Sequence, residues 1–95
     1  LPSLAIEACK TLNALFEKLE QAGLDAECDG YSLAFDLTDE QHYLLNYHGV
    51  THQIWLASPL TGAHHFRLQN GRWVSTRSND ELTSLLENEL MVSLS

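Results

Sequence analysis

Leu4, Ala8, Leu12, Leu15 and Leu19 recur at intervals of three and four, with Phe16 beside them. That is the stripe a helix needs when it buries one face. Glu7, Lys10, Asn13, Glu17, Lys18 and Gln21 fall on the other side, and Glu20 on the flank. Pro2 and Ser3 suit a helix start and Gly23 an end, so the pattern predicts one amphipathic helix over about residues 3–22. From Leu24 the period drops to two. Leu24, Ala26 and Cys28 alternate with Asp25, Glu27 and Asp29; after the turn signal Asp29-Gly30, Leu33, Phe35 and Leu37 alternate with Ser32, Ala34 and Asp36. Thr38-Asp39-Glu40 makes the next turn.

Tyr43 to Pro59 reads as two strands joined by a loop at His48–Thr51. Side chains in a strand point alternately to opposite faces. Tyr43, Leu45 and Tyr47 therefore oppose Leu44, Asn46 and His48, and Ile54 and Leu56 oppose Gln53, Trp55 and Ala57. If the aliphatic face packs on helices, Trp55 is left on the open side beside Gln53, with Asn46 near. Such a residue is either an indole half-covered by its neighbours or part of a contact surface. Pro59, Thr61 and Gly62 break the chain. His64–Gln69 then reads as a strand with Phe66 and Leu68 inward and His65 and Arg67 outward, and Asn70-Gly71 turns into a short strand at Arg72–Ser75. Ser78 and Glu81 match a capping box, and Leu82, Leu85, Leu86 and Leu90 line one face of a closing helix over about residues 79–92. Only a stub, Ser93–Ser95, follows. Helix, a meander of five or six antiparallel strands, then helix predicts an α+β two-layer sandwich with both helices on one sheet face.

At 95 residues the chain forms one domain, residues 1–95, burying only about 60–65% of its unfolded surface. Its net charge is −8, unevenly placed. Residues 1–40 hold nine acids against Lys10 and Lys18, a balance of −7, and residues 41–95 carry the remaining −1. This argues against nucleic acid, whose phosphates need Lys and Arg, and against anionic membrane surfaces. It favours cations or a basic protein partner, or serves as a solubilising surface. Cys9 and Cys28 are too few for a disulfide framework and read as reduced thiols in a reducing compartment. No run reaches transmembrane length, and a chain that begins at Leu1 without an initiating Met reads as processed or trimmed. His64 and His65 point to opposite strand faces and cannot chelate together. His42, His48 and His65 share the open face, at a spacing that fits no zinc motif. Ser58 precedes Pro59 in a turn and lies in no nucleophile elbow, and there is no phosphate-cradling glycine loop.

The stretch N-x-x-x-x-x-x-Q-I-W-L-A-S-P-L-T-G from Asn46 to Gly62, followed by H-F-R-L (His65–Leu68) and N-G-R-W-V-S (Asn70–Ser75), resembles the frataxin family over essentially the whole chain. The form with Ser58-Pro59 and Thr61-Gly62 is more similar to the mitochondrial frataxins than to the bacterial ones. The resemblance implies a role in building iron–sulfur clusters, with iron (Fe2+ or Fe3+) bound weakly by surface carboxylates. It also implies docking on the complex of cysteine desulfurase and scaffold protein, with ferrochelatase as a further partner in heme biosynthesis and iron homeostasis. It carries over a slow ferroxidase activity attributed to some members, and a home in the mitochondrial matrix or, alternatively, the bacterial cytoplasm. The family's iron-binding carboxylates match Glu17 and Glu20 near the helix end and Asp25, Glu27 and Asp29 on the first strand, with Glu7 a lesser match. Its partner contacts match Asn46, Gln53 and Trp55, and His65 and Arg67 extend that face. Lys10, Ala14 and Lys18 interrupt the family's row of helix acids, and the loop before Gln53 lacks the usual proline.

Elementary chemistry fits these roles. Carboxylates suit hard, oxygen-preferring cations and exchange them readily when exposed. Alternate acids on a strand lie about 7 Å apart, too far for one compact chelate but adequate for shared, labile sites. Two readings compete: an iron carrier whose acidic ridge is the site, and a non-enzymatic regulator whose ridge only steers it to a basic partner.

Overall fold

The computed structural model describes residues 3–95; Pro2, expected at the helix start, lies outside the described residues. Helix α1 spans Leu4–Gln21, and Ser3 caps it by accepting the Ile6 amide at 3.4 Å. At the other end Gly23 takes φ 86°. That left-handed turn lets Gly23 N–H reach Glu20 O and Leu24 N–H reach Leu19 O, satisfying carbonyls the helix leaves open. Six strands follow, β1 (Ala26–Cys28), β2 (Ser32–Thr38), β3 (Gln41–His48), β4 (Gln53–Ser58), β5 (Gly62–Gln69) and β6 (Arg72–Ser75), and helix α2 (Leu82–Leu90) closes the chain. The strands form one antiparallel sheet in sequence order.

Register decides the two faces. Ala26 pairs with Phe35, Phe35 with Tyr43, Leu45 with Leu56, and Ile54 with Phe66. These side chains join Ala8, Leu12, Leu15 and Leu19 of α1 and Leu82, Leu85, Leu86 and Leu90 of α2 in one core. Both helices thus cover the same side, as the alternation predicts, and the other side carries Leu44, Asn46, Trp55, Ala57 and His65.

Two expectations change at the C-terminal end. Ser78 does not cap α2; its hydroxyl donates to Asp80. Glu81 is itself the cap, accepting the Thr83 and Ser84 amides, so the helix starts at Leu82 and ends at Leu90. The stub is also not idle: Leu94 is buried in the core, and its amide donates to Glu87 Oε2 at 2.7 Å.

The turn Ser58–Gly62 is bound to α2 through one carboxylate. Glu89 accepts hydrogen bonds from Tyr43 Oη (2.9 Å), Ser58 Oγ (2.5 Å) and Thr61 Oγ1 (2.6 Å). Because the Thr61 proton goes to Glu89, His64 Nε2–H must donate to Thr61 Oγ1, at 2.7 Å. His64 Nδ1 is then a bare acceptor, buried and without a partner. Burial, and then the Arg77 charge, push the His64 pKa below its ordinary 6.5. Burial and the Glu89 contact raise Tyr43 to about 12.

The signs give two pH limits. Neutral His64 favours the fold above about pH 6.5, and that contribution is lost as pH falls below 6.5. Neutral Tyr43 favours the fold below pH 10, and its contribution is lost as pH rises from 10 to about 12. Melting temperature is therefore expected to fall between pH 7 and pH 5, and the fall to shrink in His64→Gln. An equal fall in both proteins would place the acid sensitivity elsewhere.

Candidate functional site

The helix-free face is organised by Trp55. Asn46 and His65 pair with it directly across β3 and β5, and on the next row His48 and Arg67 flank Gln53. The indole is stacked on both faces, with His48 at 3.9 Å between centroids (7° between planes) and with His65 at 4.4 Å (12°). Its Nε1–H donates to Gln53 Oε1 at 2.9 Å. The loop that sets His48 is held by its own bonds: Thr51 Oγ1 lies 2.9 Å from His48 Nδ1, and Tyr47 Oη 3.0 Å from His52 Nδ1. Three aromatic rings from three strands therefore form one rigid block. Beside the block, Ala57 and Ala63 leave a shallow notch of ≈ 170 Å³ floored by Leu44 and Trp55. Leu44 is 44% exposed there, so the surface offers an apolar seat rimmed by Asn46 and His65, with Gln53 and Arg67 on the row beyond.

All the sequence-predicted contact residues, Asn46, Gln53, Trp55, His65 and Arg67, lie on this one face. For His48 the alternation predicts only that it shares the face. Its stacking is out of reach of sequence, because it depends on the β3–β4 register placing a ring diagonal to Trp55.

The acids divide into two groups. Glu27 pairs with Ala34 and points to the helix-free side, and Asp25 and Asp29 share its parity. Asp36 joins them, its amide bonded to Asp25 O and its carboxylate 2.6 Å from His42 Nδ1. Asp29 also shapes the backbone, for its carboxylate accepts Ser32 N–H (3.1 Å) and Oγ–H (2.6 Å), closing the turn in which Gly30 takes φ 97°. Glu17 and Glu20 are exposed on α1, in the other layer, and Glu7 lies 3.9 Å from Lys10. Among the described residues no three His, Cys, Asp or Glu side chains converge closely enough to hold a metal ion. What the edge offers a cation is one or two carboxylates at a time. Such a site is weak, open and selective for hard ions.

Residues 3–95 match the family model described as a frataxin-like domain. The chain is 35% identical over 72 residues to the iron–sulfur cluster assembly protein CyaY of Psychromonas ingrahamii, covering 74% of this chain and 68% of that protein. It is 45% identical over 53 residues to the mitochondrial frataxin homolog of Saccharomyces cerevisiae, 56% of this chain but only 30% of the yeast protein. Among solved structures, frataxin from Psychromonas ingrahamii superposes with a TM-score of 0.86 at 26% identity, covering 97% of this chain and 94% of that one. Trimeric yeast frataxin complexed with ferrous iron superposes with a TM-score of 0.82 at 34% identity, covering 90% and 82%.

Proposed function

This chain belongs to the frataxin family, and on that premise we propose that it serves iron–sulfur cluster assembly by docking on the cysteine desulfurase–scaffold complex and bringing weakly held iron to it. The observation that carries the reading is the Trp55 block: a large aromatic, fixed on both faces and bonded at its nitrogen, standing on the side of the sheet that no helix covers. A preorganised aromatic beside an apolar notch loses little entropy on binding and has the character of an interface anchor. The relative crystallised with ferrous iron supports iron as cargo, and the carboxylates of Asp25, Glu27, Glu17 and Glu20 supply suitable oxygens. A micromolar constant, about 8 kcal/mol, retains such an ion and still releases it. Among the described residues no helix is long and apolar enough to cross a membrane. The mitochondrial matrix is the compartment this reading prefers, on the identity to the yeast mitochondrial homolog; the similarity to bacterial CyaY supports a bacterial cytoplasm instead.

The scattered carboxylates favour a second reading as well, in which the acids only steer the domain to a basic partner and iron binding is incidental. Asp25→Asn, Glu27→Gln and Asp29→Asn combined separate the two. Residue-resolved NMR titrations with ferrous iron, and separately with the desulfurase–scaffold complex, give the readout. The carrier reading expects iron-induced changes at β1 to disappear together with stimulation of cluster synthesis, while the complex still broadens signals around Trp55. Stimulation that persists after iron binding is lost overturns the carrier reading. A complex that leaves the Trp55 face unperturbed in the parent protein overturns both.

A further inference from the structure

The two cysteines, expected from the sequence to be reduced core thiols, are only half-buried and share one partner. Asn13, exposed on α1, donates from Nδ2 to Cys9 Sγ at 3.4 Å, and its Oδ1 accepts from Cys28 Sγ at 3.6 Å. The same Nδ2 donates to Cys9 O at 2.8 Å, and a carbonyl can only accept, so the amide's orientation is fixed. One side chain thus bridges thiols from α1 and β1 and treats them differently. Cys9 Sγ accepts a hydrogen bond from the amide, and Cys28 Sγ donates one to it.

We propose that Cys9 and Cys28 are a peroxide-responsive pair, in which Cys9 is the attacking thiol and Cys28 the resolving one. In the first step Cys9 Sγ gives up its proton and attacks one oxygen of hydrogen peroxide; the O–O bond breaks, the departing hydroxide takes that proton and leaves as water, and Cys9 becomes a sulfenic acid. In the second, the Cys28 sulfur attacks Cys9 Sγ, the S–O bond breaks and a second water leaves. The sulfurs give up two electrons, and both thiol protons end in water. Asn13 is exposed and can swing outward to let the sulfurs meet. The resulting bond ties α1 to the edge strand, whose other face carries Glu27, and closes a loop between positions 9 and 28. Such a bond suits a reducing compartment, where disulfides are transient and responsive rather than structural.

The test is to treat the reduced full chain with a small excess of peroxide and weigh it intact. The expected product is a monomer lighter by about 2 Da, with the Cys9 and Cys28 peptides linked and the change reversed by dithiothreitol. The oxidised form should melt higher by about 5 °C or more. Cys28→Ser should stop at the first step, gaining about 16 Da and a dimedone adduct on Cys9. Peroxide-treated protein that keeps both thiols, carries only unresolved oxygen adducts or links chain to chain overturns the pair. Dimedone labelling of Cys28 in Cys9→Ser as fast as that of Cys9 in Cys28→Ser overturns the assigned order.

Discussion

Replacing Glu89 with alanine is expected to lower the unfolding free energy by about 3–4 kcal/mol, because hydrogen bonds to a charged acceptor contribute roughly 1.5–3 kcal/mol each and three meet here. The substitution strands the hydroxyls of Tyr43 and Ser58, residues that are 1% and 8% exposed. Ser58 Oγ also accepts the Leu60 and Thr61 amides, at 3.0 and 3.1 Å, so the damage spreads into the turn backbone. Thr61 loses its acceptor at the same time and can no longer hold one fixed orientation for His64. Glu89 is itself only half-buried, and water entering from its open side offsets part of the cost. That is why the expected loss is smaller than three full bonds. In a domain of this size the loss corresponds to a fall in melting temperature of about 15 °C or more. Glu89→Gln keeps one acceptor oxygen but turns an amide N–H2 toward hydroxyls that need to donate, so it should lose about half as much. Denaturant titration of the two variants provides the measurement. A loss below about 1 kcal/mol in Glu89→Ala would mean that water fully replaces the carboxylate. The Tyr43 pKa should also fall from about 12 toward 10 in both variants, because its phenol would be relieved of the Glu89 charge, so the loss of stability above pH 10 should shrink.

This network shows what the sequence could not disclose. The S-P-L-T-G stretch was legible as a turn and as part of a family signature, but nothing in the spacing of Ser58 and Thr61 points to a carboxylate 28 residues beyond Thr61. That pairing depends on how α2 is rotated over the sheet. Elements that bury a single face were legible, since burial imposes a period: α1 from its leucines, β2 to β5 from alternation. Trp55 was legible for the same reason, because parity alone puts it opposite Ile54 and Leu56. Local patterns misled where tertiary contacts overrode them. Ser78 and Glu81 match a capping box, yet Asp80 O is claimed by Ser75 N–H and Glu81 bridges to Val74, so the chain is still strand-like where the pattern expects a helix. Leu94 had no period to reveal it. A three-residue tail shows its anchor only once the core has an opening to receive it.

Trp55→Ala is expected to weaken binding to the desulfurase–scaffold complex about 30-fold or more, since truncating an anchoring aromatic typically costs at least about 2 kcal/mol. Two features raise the expectation above that of an ordinary exposed tryptophan. The indole already sits between His48 and His65, with its nitrogen on Gln53, so little side-chain entropy remains to be lost on docking. Its removal also frees both imidazoles and widens the notch that Ala57 and Ala63 leave beside it. Stability should hardly change, because the side chain fills no part of the helix-covered core; a melting temperature within about 5 °C of the parent is expected. His48→Ala, which unstacks one face but leaves the anchor, should lose severalfold affinity, and Trp55→Phe should fall between the two. That ranking distinguishes a preorganised aromatic block from simple exposed area: area alone predicts that the small imidazole at His48 contributes nothing once Trp55 is present. Affinity unchanged in Trp55→Ala would remove this face from the docking surface. The acidic edge at β1, with Asp36 and His42 beside it, would then be the surface left to meet the partner.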